Sequence, residues 1–146
     1  MSYSGRCNCG AVSATISGEP VAVRQCWCRQ CQKLAAGGAT HNAMFRTDDI
    51  SLNGETRAWS YVAASGNTLT MHNCASCSTP VFGQSSARPQ FRTFRLGFLD
   101  EGHGLAPTVA IWTDEKPAWA KLDPAMETWP QQPPPPQPVA PQPTAS

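Results

Sequence analysis

Seven cysteines in a chain of 146 residues constrain this protein more than any other feature of its sequence. They fall into three closely spaced groups: Cys7 and Cys9; Cys26, Cys28 and Cys31; Cys74 and Cys77. The first ten residues contain no apolar stretch typical of a signal peptide, so we expect a cytoplasmic protein. In a reducing compartment such spacings indicate metal binding or catalysis rather than disulfides, and an odd count leaves one thiol unpaired in a disulfide scaffold.

Two of the groups have the spacing of zinc knuckles, in which two thiolates and nearby backbone amides converge on one cation. A structural zinc ion takes four protein ligands, so each pair needs a second pair. The simplest combination joins the CxC pair, Cys7 and Cys9, to the CxxC pair, Cys74 and Cys77. We therefore predict a structural zinc site that closes a long loop between the first strand and the strand after a middle hairpin.

The middle group, Cys26, Cys28 and Cys31, then has only three ligands. Zinc with three protein ligands keeps one position for a substrate, which is the pattern of a catalytic site. We therefore predict a second zinc on these cysteines, which would bind a small thiol such as glutathione as its thiolate. Two alternatives remain open: His41 or His72 completes a second structural zinc site, or the cysteines are paired differently.

Alternating polar and apolar runs predict a mostly β domain over residues 1–129. The predicted strands lie within residues 11–17, 21–25, 57–62, 67–73, 91–98 and 108–112. The sequence SGN at 65–67 predicts a hairpin turn, and residues 29–36 predict one helical segment before Gly37 and Gly38. Residues 130–146 are rich in Pro and Gln and carry no charge, which predicts a disordered, partly polyproline II extension.

Charge and hydropathy argue against two classes of partner. The formal net charge is +1 and no dense stripe of Lys and Arg occurs, so we expect no nucleic-acid binding. No apolar run approaches the roughly 18 residues needed to span a bilayer, so we expect no membrane association.

The motifs together resemble the glutathione-dependent formaldehyde-activating enzyme family, which includes centromere protein V. The resemblance rests on GRCNCG at 5–10, CWCRQC at 26–31 and CASC at 74–77. It is supported by RLGFLD at 95–100 and IWTDEKPAW at 111–119, and covers about residues 3–129. Two positions depart from the family pattern, because Ser78 replaces a usual Gly and Trp27 replaces a His or polar residue.

The resemblance implies a β-tent fold with a four-cysteine structural zinc site and a three-cysteine zinc at the active region. It also implies an activity that joins formaldehyde to glutathione as S-hydroxymethylglutathione, a carbon–sulfur lyase. We accordingly predict a zinc-dependent lyase-type enzyme acting on an aldehyde adduct of glutathione or a similar thiol. The alternative is a non-enzymatic zinc-binding module for a protein partner.

Other residues are candidates for auxiliary roles. His41 follows the Gly37–Gly38 bend and could transfer a proton, although a lone His is commonly an ordinary polar strand residue. Basic residues near the middle cysteines could bind the carboxylates of glutathione, or could be solvated surface charges: Arg24, Arg29, Lys33 and Arg46. Tryptophans could line a pocket or pack in the core: Trp27, Trp59, Trp112 and Trp119.

Overall fold

The computed structural model describes residues 2–135, and most of this range forms short strands. The strands are β1 (Ser2–Arg6), β2 (Ser13–Ser17), β3 (Ala22–Cys26), β4 (Thr40–Arg46), β5 (Ile50–Asn53), β6 (Thr56–Val62), β7 (Thr68–Cys74), β8 (Pro80–Ser85), β9 (Phe91–Arg95), β10 (Val109–Ile111) and β11 (Glu127–Thr128). The helical segments are α1 (Arg29–Leu34) and 3₁₀ turns at Thr47–Asp49, Leu96–Phe98 and Thr113–Glu115. The prediction of a mostly β protein is confirmed.

The strands form two sheets of unequal size. The small sheet has the strand order β1-β2-β5, and the large sheet has the order β11-β10-β3-β4-β9-β8-β7-β6. Neighbouring strands are antiparallel, except that β10 runs parallel to both β3 and β11. Strands distant in sequence, such as β3 and β10, therefore lie side by side in the large sheet.

Strand β4 shows how the large sheet uses its two faces. Ala43 and Phe45 are fully buried and pack in one core cluster with residues of the small sheet. The ring of Phe45 lies 5.5 Å from that of Tyr3 on β1. Asn42 and Met44 point to the opposite face, because side chains alternate along a strand, and there they line a large cavity. The large sheet thus separates the aromatic core from the cavity.

Each of the six predicted strands overlaps a strand of the structure, namely β2, β3, β6, β7, β9 and β10. The predicted hairpin turn joins β6 to β7 and has Gly66 in a left-handed conformation with φ of +87°. Strands β1, β4, β5, β8 and β11 were not predicted. Strand β4 is buried on both faces and so lacks a polar–apolar alternation, while β8 begins with Pro80 and contains Gly83, residues that sequence patterns associate with turns.

The predicted helical segment is present as α1. It ends before Ala36 and Gly37, whose φ angles of +55° and +103° leave the helical region. Among residues 2–135, no helix combines the length and apolar character required to cross a bilayer.

Residues 130–135, the first part of the extension predicted to be disordered, are described by the structure. The carbonyl groups of Trp129 and Pro130 accept hydrogen bonds from the backbone N–H groups of Thr113 and Asp114, at 3.2 and 3.1 Å. These N–H groups open a 3₁₀ turn, where backbone donors lack partners within the turn. Residues 136–146 lie outside the described residues, so the disorder of the extension stays a prediction.

Strand β11 and the residues after it also reach the middle cysteines. Trp129 packs against a small buried cluster that contains Cys26, Cys31 and Ile111. The indole N–H of Trp112 donates to the side-chain oxygen of Gln132 at 3.1 Å. The C-terminal segment is therefore part of the structure that surrounds these cysteines.

We predict that ending the chain after Met126 lowers the free energy of unfolding by about 2–4 kcal/mol, because several backbone hydrogen bonds and the buried surface of Trp129 are lost. Urea unfolding followed by tryptophan fluorescence measures this change. A chain that ends after Pro135 is the matched control and should retain the stability of the full chain. Equal stability of both shortened chains would show that the segment does not support the fold.

Candidate metal centres and active site

The structure brings together the four cysteines that we predicted to share one metal site. We call Cys7, Cys9, Cys74 and Cys77 the four-cysteine cluster. Cys7 and Cys9 lie in the turn after β1, whereas Cys74 ends β7 and Cys77 lies in the turn before β8. Their sulfur atoms all lie within 4.8 Å of one another. The cluster therefore joins the small sheet to the large sheet and could hold a metal ion.

The sulfur geometry of this cluster fits a tetrahedral ion. The sulfur of Cys9 lies 3.6 Å from that of Cys7 and 3.8 Å from that of Cys74. Sulfurs about 2.3 Å from a tetrahedral zinc ion are about 3.8 Å apart. Backbone N–H groups of Val12 and Cys77 point at the sulfurs of Cys7 and Cys74, at 3.2 and 3.4 Å, and offset negative charge as in a zinc knuckle.

Thr79 links the two halves of the four-cysteine cluster. Its hydroxyl oxygen accepts from the backbone N–H of Asn8 at 3.1 Å and lies 3.1 Å from the sulfur of Cys77. Its hydrogen bond to that sulfur is the main reason that the pKa of Cys77 is lowered to about 5. A thiolate at Cys77 is thus favoured before any cation binds. Thr79 was not identified from the sequence, although it follows Cys77 by only two residues.

Ser78 occupies the position where the family pattern has Gly, and its backbone is left-handed with φ of +66°. Its N–H donates to the carbonyl of Cys74 at 2.9 Å, which closes the turn of the knuckle. A residue with a Cβ atom is strained in this conformation, whereas Gly is not.

The middle cysteines also converge, and we call Cys26, Cys28 and Cys31 the three-cysteine cluster. Cys26 ends β3, Cys28 is the N-cap of α1 and Cys31 lies in α1. Their sulfurs lie within 4.8 Å of one another, and within residues 2–135 no His, Asp or Glu joins this group. His72 instead stacks on Phe82 with a ring separation of 4.2 Å. The described residues thus offer three ligands at this site.

The side chains of Gln32 and Glu115 hold α1 in place through hydrogen bonds. Gln32 is 4% exposed, and its amide donates to the carbonyls of Trp27 and Glu115, at 2.7 and 2.9 Å. The carboxylate of Glu115 accepts from the backbone N–H of Arg29 at the start of α1, at 2.6 Å. These contacts tie the helix that carries Cys31 to the 3₁₀ turn after β10. Neither Gln32 nor Glu115 was identified from the sequence.

The thiols of the three-cysteine cluster have different pKa values. Hydrogen bonds from Cys26 and Cys28, with smaller contributions from the hydroxyl of Thr40 and the charge of Arg95, lower the pKa of Cys31 to about 3. Hydrogen bonds to Cys28 and Cys31, together with burial, raise the pKa of Cys26. One thiolate is therefore stabilised by two thiols, an arrangement in which a metal cation would replace the remaining protons.

The three-cysteine cluster opens into a cavity of about 660 Å³ on the face of the large sheet opposite the aromatic core. Tyr61 on β6 lines this cavity, and burial and then the three nearby sulfurs raise the pKa of its phenol. Arg95 on β9 also lines it, and its guanidinium donates to the side-chain oxygen of Asn42 at 2.5 Å. Both residues are far from the cysteines in sequence, so no local signal identified them.

Of the basic residues proposed from the sequence, only Arg24 lines the cavity. Arg29, Lys33 and Arg46 are exposed and lie outside the lining. Arg88, which precedes β9, lines the cavity and was not identified from the sequence.

His41 lies on the opposite face of β4 from the cavity, since its neighbours Thr40 and Asn42 point to the other side. Its ring Nε2 lies 3.1 Å from the side-chain nitrogen of Gln25, and burial lowers its pKa. This placement favours the ordinary role of a polar strand residue.

The tryptophans divide among three environments. Trp27 is buried and packs with Ala39 and Ala120, which is the core role. Trp112 lines the cavity, whereas Trp59 and Trp119 are exposed.

The fold and the two clusters define a class, namely β-sheet proteins with two separate cysteine groups that could hold metal ions. The family model for the glutathione-dependent formaldehyde-activating enzyme matches residues 2–115, so this chain belongs to that family. The resemblance identified from the cysteine motifs is confirmed.

Other comparisons bear on the fold alone. No curated protein matches the chain. A crystal structure of a protein from Rhodobacter sphaeroides is similar, with a TM-score of 0.55 and 18% sequence identity over 86% of this chain and 98% of that chain. This likeness supports the arrangement of strands described above.

We predict that Ser78→Gly raises the free energy of unfolding by about 1 kcal/mol, because Gly relieves the left-handed strain at this position. Urea unfolding of the metal-loaded protein measures the change. Ser76→Gly is the matched control, since Ser76 is also exposed but has no positive φ, and it should leave stability unchanged or lower it. Equal effects of the two substitutions would contradict the strain argument.

Proposed function

We propose that this protein is a zinc-dependent enzyme that makes or breaks the carbon–sulfur bond between an aldehyde and glutathione or a similar small thiol. The family to which the chain belongs supports a glutathione- and aldehyde-related activity. The observation that carries the finer proposal is the three-cysteine cluster, which combines three soft ligands, no fourth described protein ligand and an adjoining cavity of about 660 Å³. Such a site accepts an exogenous ligand, whereas a four-ligand site does not.

We assign the two clusters different roles. Cys7, Cys9, Cys74 and Cys77 would hold a structural zinc, because thiolates in a tetrahedral set are typical of closed zinc sites. Cys26, Cys28 and Cys31 would hold a second zinc at the catalytic site. Zinc bound there supplies a Lewis acid that lowers the pKa of a thiol ligand and so favours its thiolate.

Tyr61 is the proton donor that we propose in place of His41. When the thiolate sulfur bonds to the aldehyde carbon, the carbonyl electron pair moves to oxygen, which then needs a proton. The phenol of Tyr61 lines the cavity and is held protonated, because burial and the nearby sulfurs raise its pKa. The proton that glutathione released returns to the tyrosinate through solvent, and the reverse reaction follows the same steps backwards.

The alternative function is that of a non-enzymatic protein, and the experiments below distinguish it from the enzyme. If both metals are structural, the protein is a non-enzymatic zinc-binding module for a protein partner. The two functions differ in whether a small thiol changes the ligands at the three-cysteine cluster.

We predict that Cys74→Ser prevents folding, because a structural zinc contributes on the order of 10 kcal/mol, comparable to the whole stability of a domain. Cys28→Ser should retain the fold and lose one of two zinc ions. Far-UV circular dichroism and zinc counting by mass spectrometry under non-denaturing conditions measure both effects. Equal loss of folding in the two variants would show that our division of the cysteines is wrong.

We also predict that glutathione adds a sulfur ligand to one of the two zinc ions in the native protein. Zinc-edge X-ray absorption, recorded with and without glutathione, measures the mean number of sulfur ligands. Cys28→Ser is the control in which this increase should disappear. An unchanged spectrum in the native protein would favour the non-enzymatic module.

Tyr61→Phe separates the binding of glutathione, measured by X-ray absorption, from the reaction with formaldehyde, measured as the rate of adduct formation. This variant should show the native change in sulfur ligands but form the formaldehyde–glutathione adduct about 100-fold more slowly, which is the scale of general acid catalysis. A native rate in Tyr61→Phe would exclude Tyr61 as the proton donor while leaving the zinc–thiol assignment in place.

A further inference from the structure

Three arginines line the cavity, and one of them is already held by neighbouring side chains. The guanidinium of Arg95 donates to Asn42 at 2.5 Å and contacts the sulfur of Met71 at 3.1 Å. Its charge also acts on Cys31. Arg95 therefore belongs to the surroundings of the three-cysteine cluster and is not free to bind a distant part of a ligand.

The other two, Arg24 and Arg88, come from separate elements and line the same cavity. Arg24 lies on β3, and Arg88 lies between β8 and β9. Both side chains are partly buried there. Two like charges in one cavity repel each other, so an anion that binds to both would lower the free energy of the site.

Neither guanidinium has a partner among the residues that the structure describes. Within residues 2–135 the salt bridge is that of Arg6 with Asp100, and no side-chain hydrogen bond involves Arg24 or Arg88. The carboxylate of Glu127 acts on Arg24 through its charge but forms no salt bridge with it. A partly buried guanidinium with five donors and no acceptor is suited to an anionic ligand.

Arg24 lies on the same strand as Cys26, so the arginine pair is close to the three-cysteine cluster. Arg24 and Cys26 are two residues apart on the cavity face of β3, so their backbones are about 7 Å apart. A ligand whose sulfur lies at the three-cysteine cluster can therefore place a group several bonds away beside Arg24 and Arg88. The planar guanidinium fork matches a carboxylate in shape and charge.

We propose that Arg24 and Arg88 form a carboxylate subsite that makes the cavity selective for anionic thiols over neutral ones. This inference rests on the proposed function, because it takes the ligand's sulfur to be at the three-cysteine cluster. Glutathione has two carboxylates and fits this class, whereas its diethyl ester keeps the thiol but has no carboxylate.

Isothermal titration calorimetry on the zinc-loaded full chain tests the subsite with glutathione and glutathione diethyl ester. The native protein should bind glutathione about 10- to 100-fold more tightly than the ester, the range expected for hydrogen bonds to a charged group. Arg88→Gln should abolish most of this preference by weakening glutathione binding and leaving ester binding unchanged. Arg88→Lys should retain part of the preference, which separates a role of charge from a role in folding.

Arg46→Gln is the matched control, since it removes the same charge from an exposed residue outside the cavity lining. It should keep the native preference. A native protein without preference for glutathione over its ester would overturn the proposal. So would an Arg88→Gln variant that keeps the native preference, or an Arg46→Gln variant that loses as much of it as Arg88→Gln does.

S-methylglutathione distinguishes failure of the subsite from failure of the proposed function. It has both carboxylates but no ionisable thiol, so it should bind the native protein more weakly than glutathione and still lose affinity in Arg88→Gln. If it binds as tightly as glutathione and both lose affinity in Arg88→Gln, the carboxylate subsite is supported and the thiol role of the zinc is not. If glutathione adds a sulfur ligand to zinc and Arg88→Gln changes nothing, the subsite is wrong and the proposed function stands.

Discussion

The convergence of four sulfurs from opposite parts of the chain is the contact on which the rest of the structure depends. Cys9 and Cys74 are 65 positions apart, yet their sulfurs lie 3.8 Å apart where the small sheet meets the large one. Closing so long a loop costs chain entropy, and a bound metal would offset that cost with strong bonds. The aromatic core around Phe45 lies between the same two sheets, so a metal bound to these sulfurs would stabilise the same arrangement that core packing stabilises.

The three-cysteine cluster uses the same ligand chemistry in a different setting. Its sulfurs lie at the junction of β3 and α1, on the face of the large sheet that turns away from the core. On that face β6 supplies Tyr61, β9 supplies Arg95 and the segment between β8 and β9 supplies Arg88, while the C-terminal segment packs Trp129 beside the cysteines. The three-cysteine cluster therefore borders a cavity, whereas the four-cysteine cluster joins two turns where the small sheet meets the large one. The different roles that we propose for the two clusters rest on this difference.

Sequence reasoning succeeded for local features and failed for those that depend on register. The helix that carries Cys31 and the β6–β7 hairpin follow from a few adjacent residues, and the structure contains both. His41 is close to the cysteines in sequence but points to the other face of β4, because side chains alternate along a strand. Tyr61 and Arg88 had no local signal, since only the tertiary structure brings them to the cavity.

The sequence by itself determined the membership of the two cysteine groups, because ligand spacing within a knuckle is a property of neighbouring residues. It also determined the family, through motifs that surround those cysteines. Only the tertiary structure decided what faces the three-cysteine cluster. Residues of β3, β6 and β9 line one cavity because of the order and register of strands in the large sheet, and a short stretch of sequence does not encode which distant side chain shares its face.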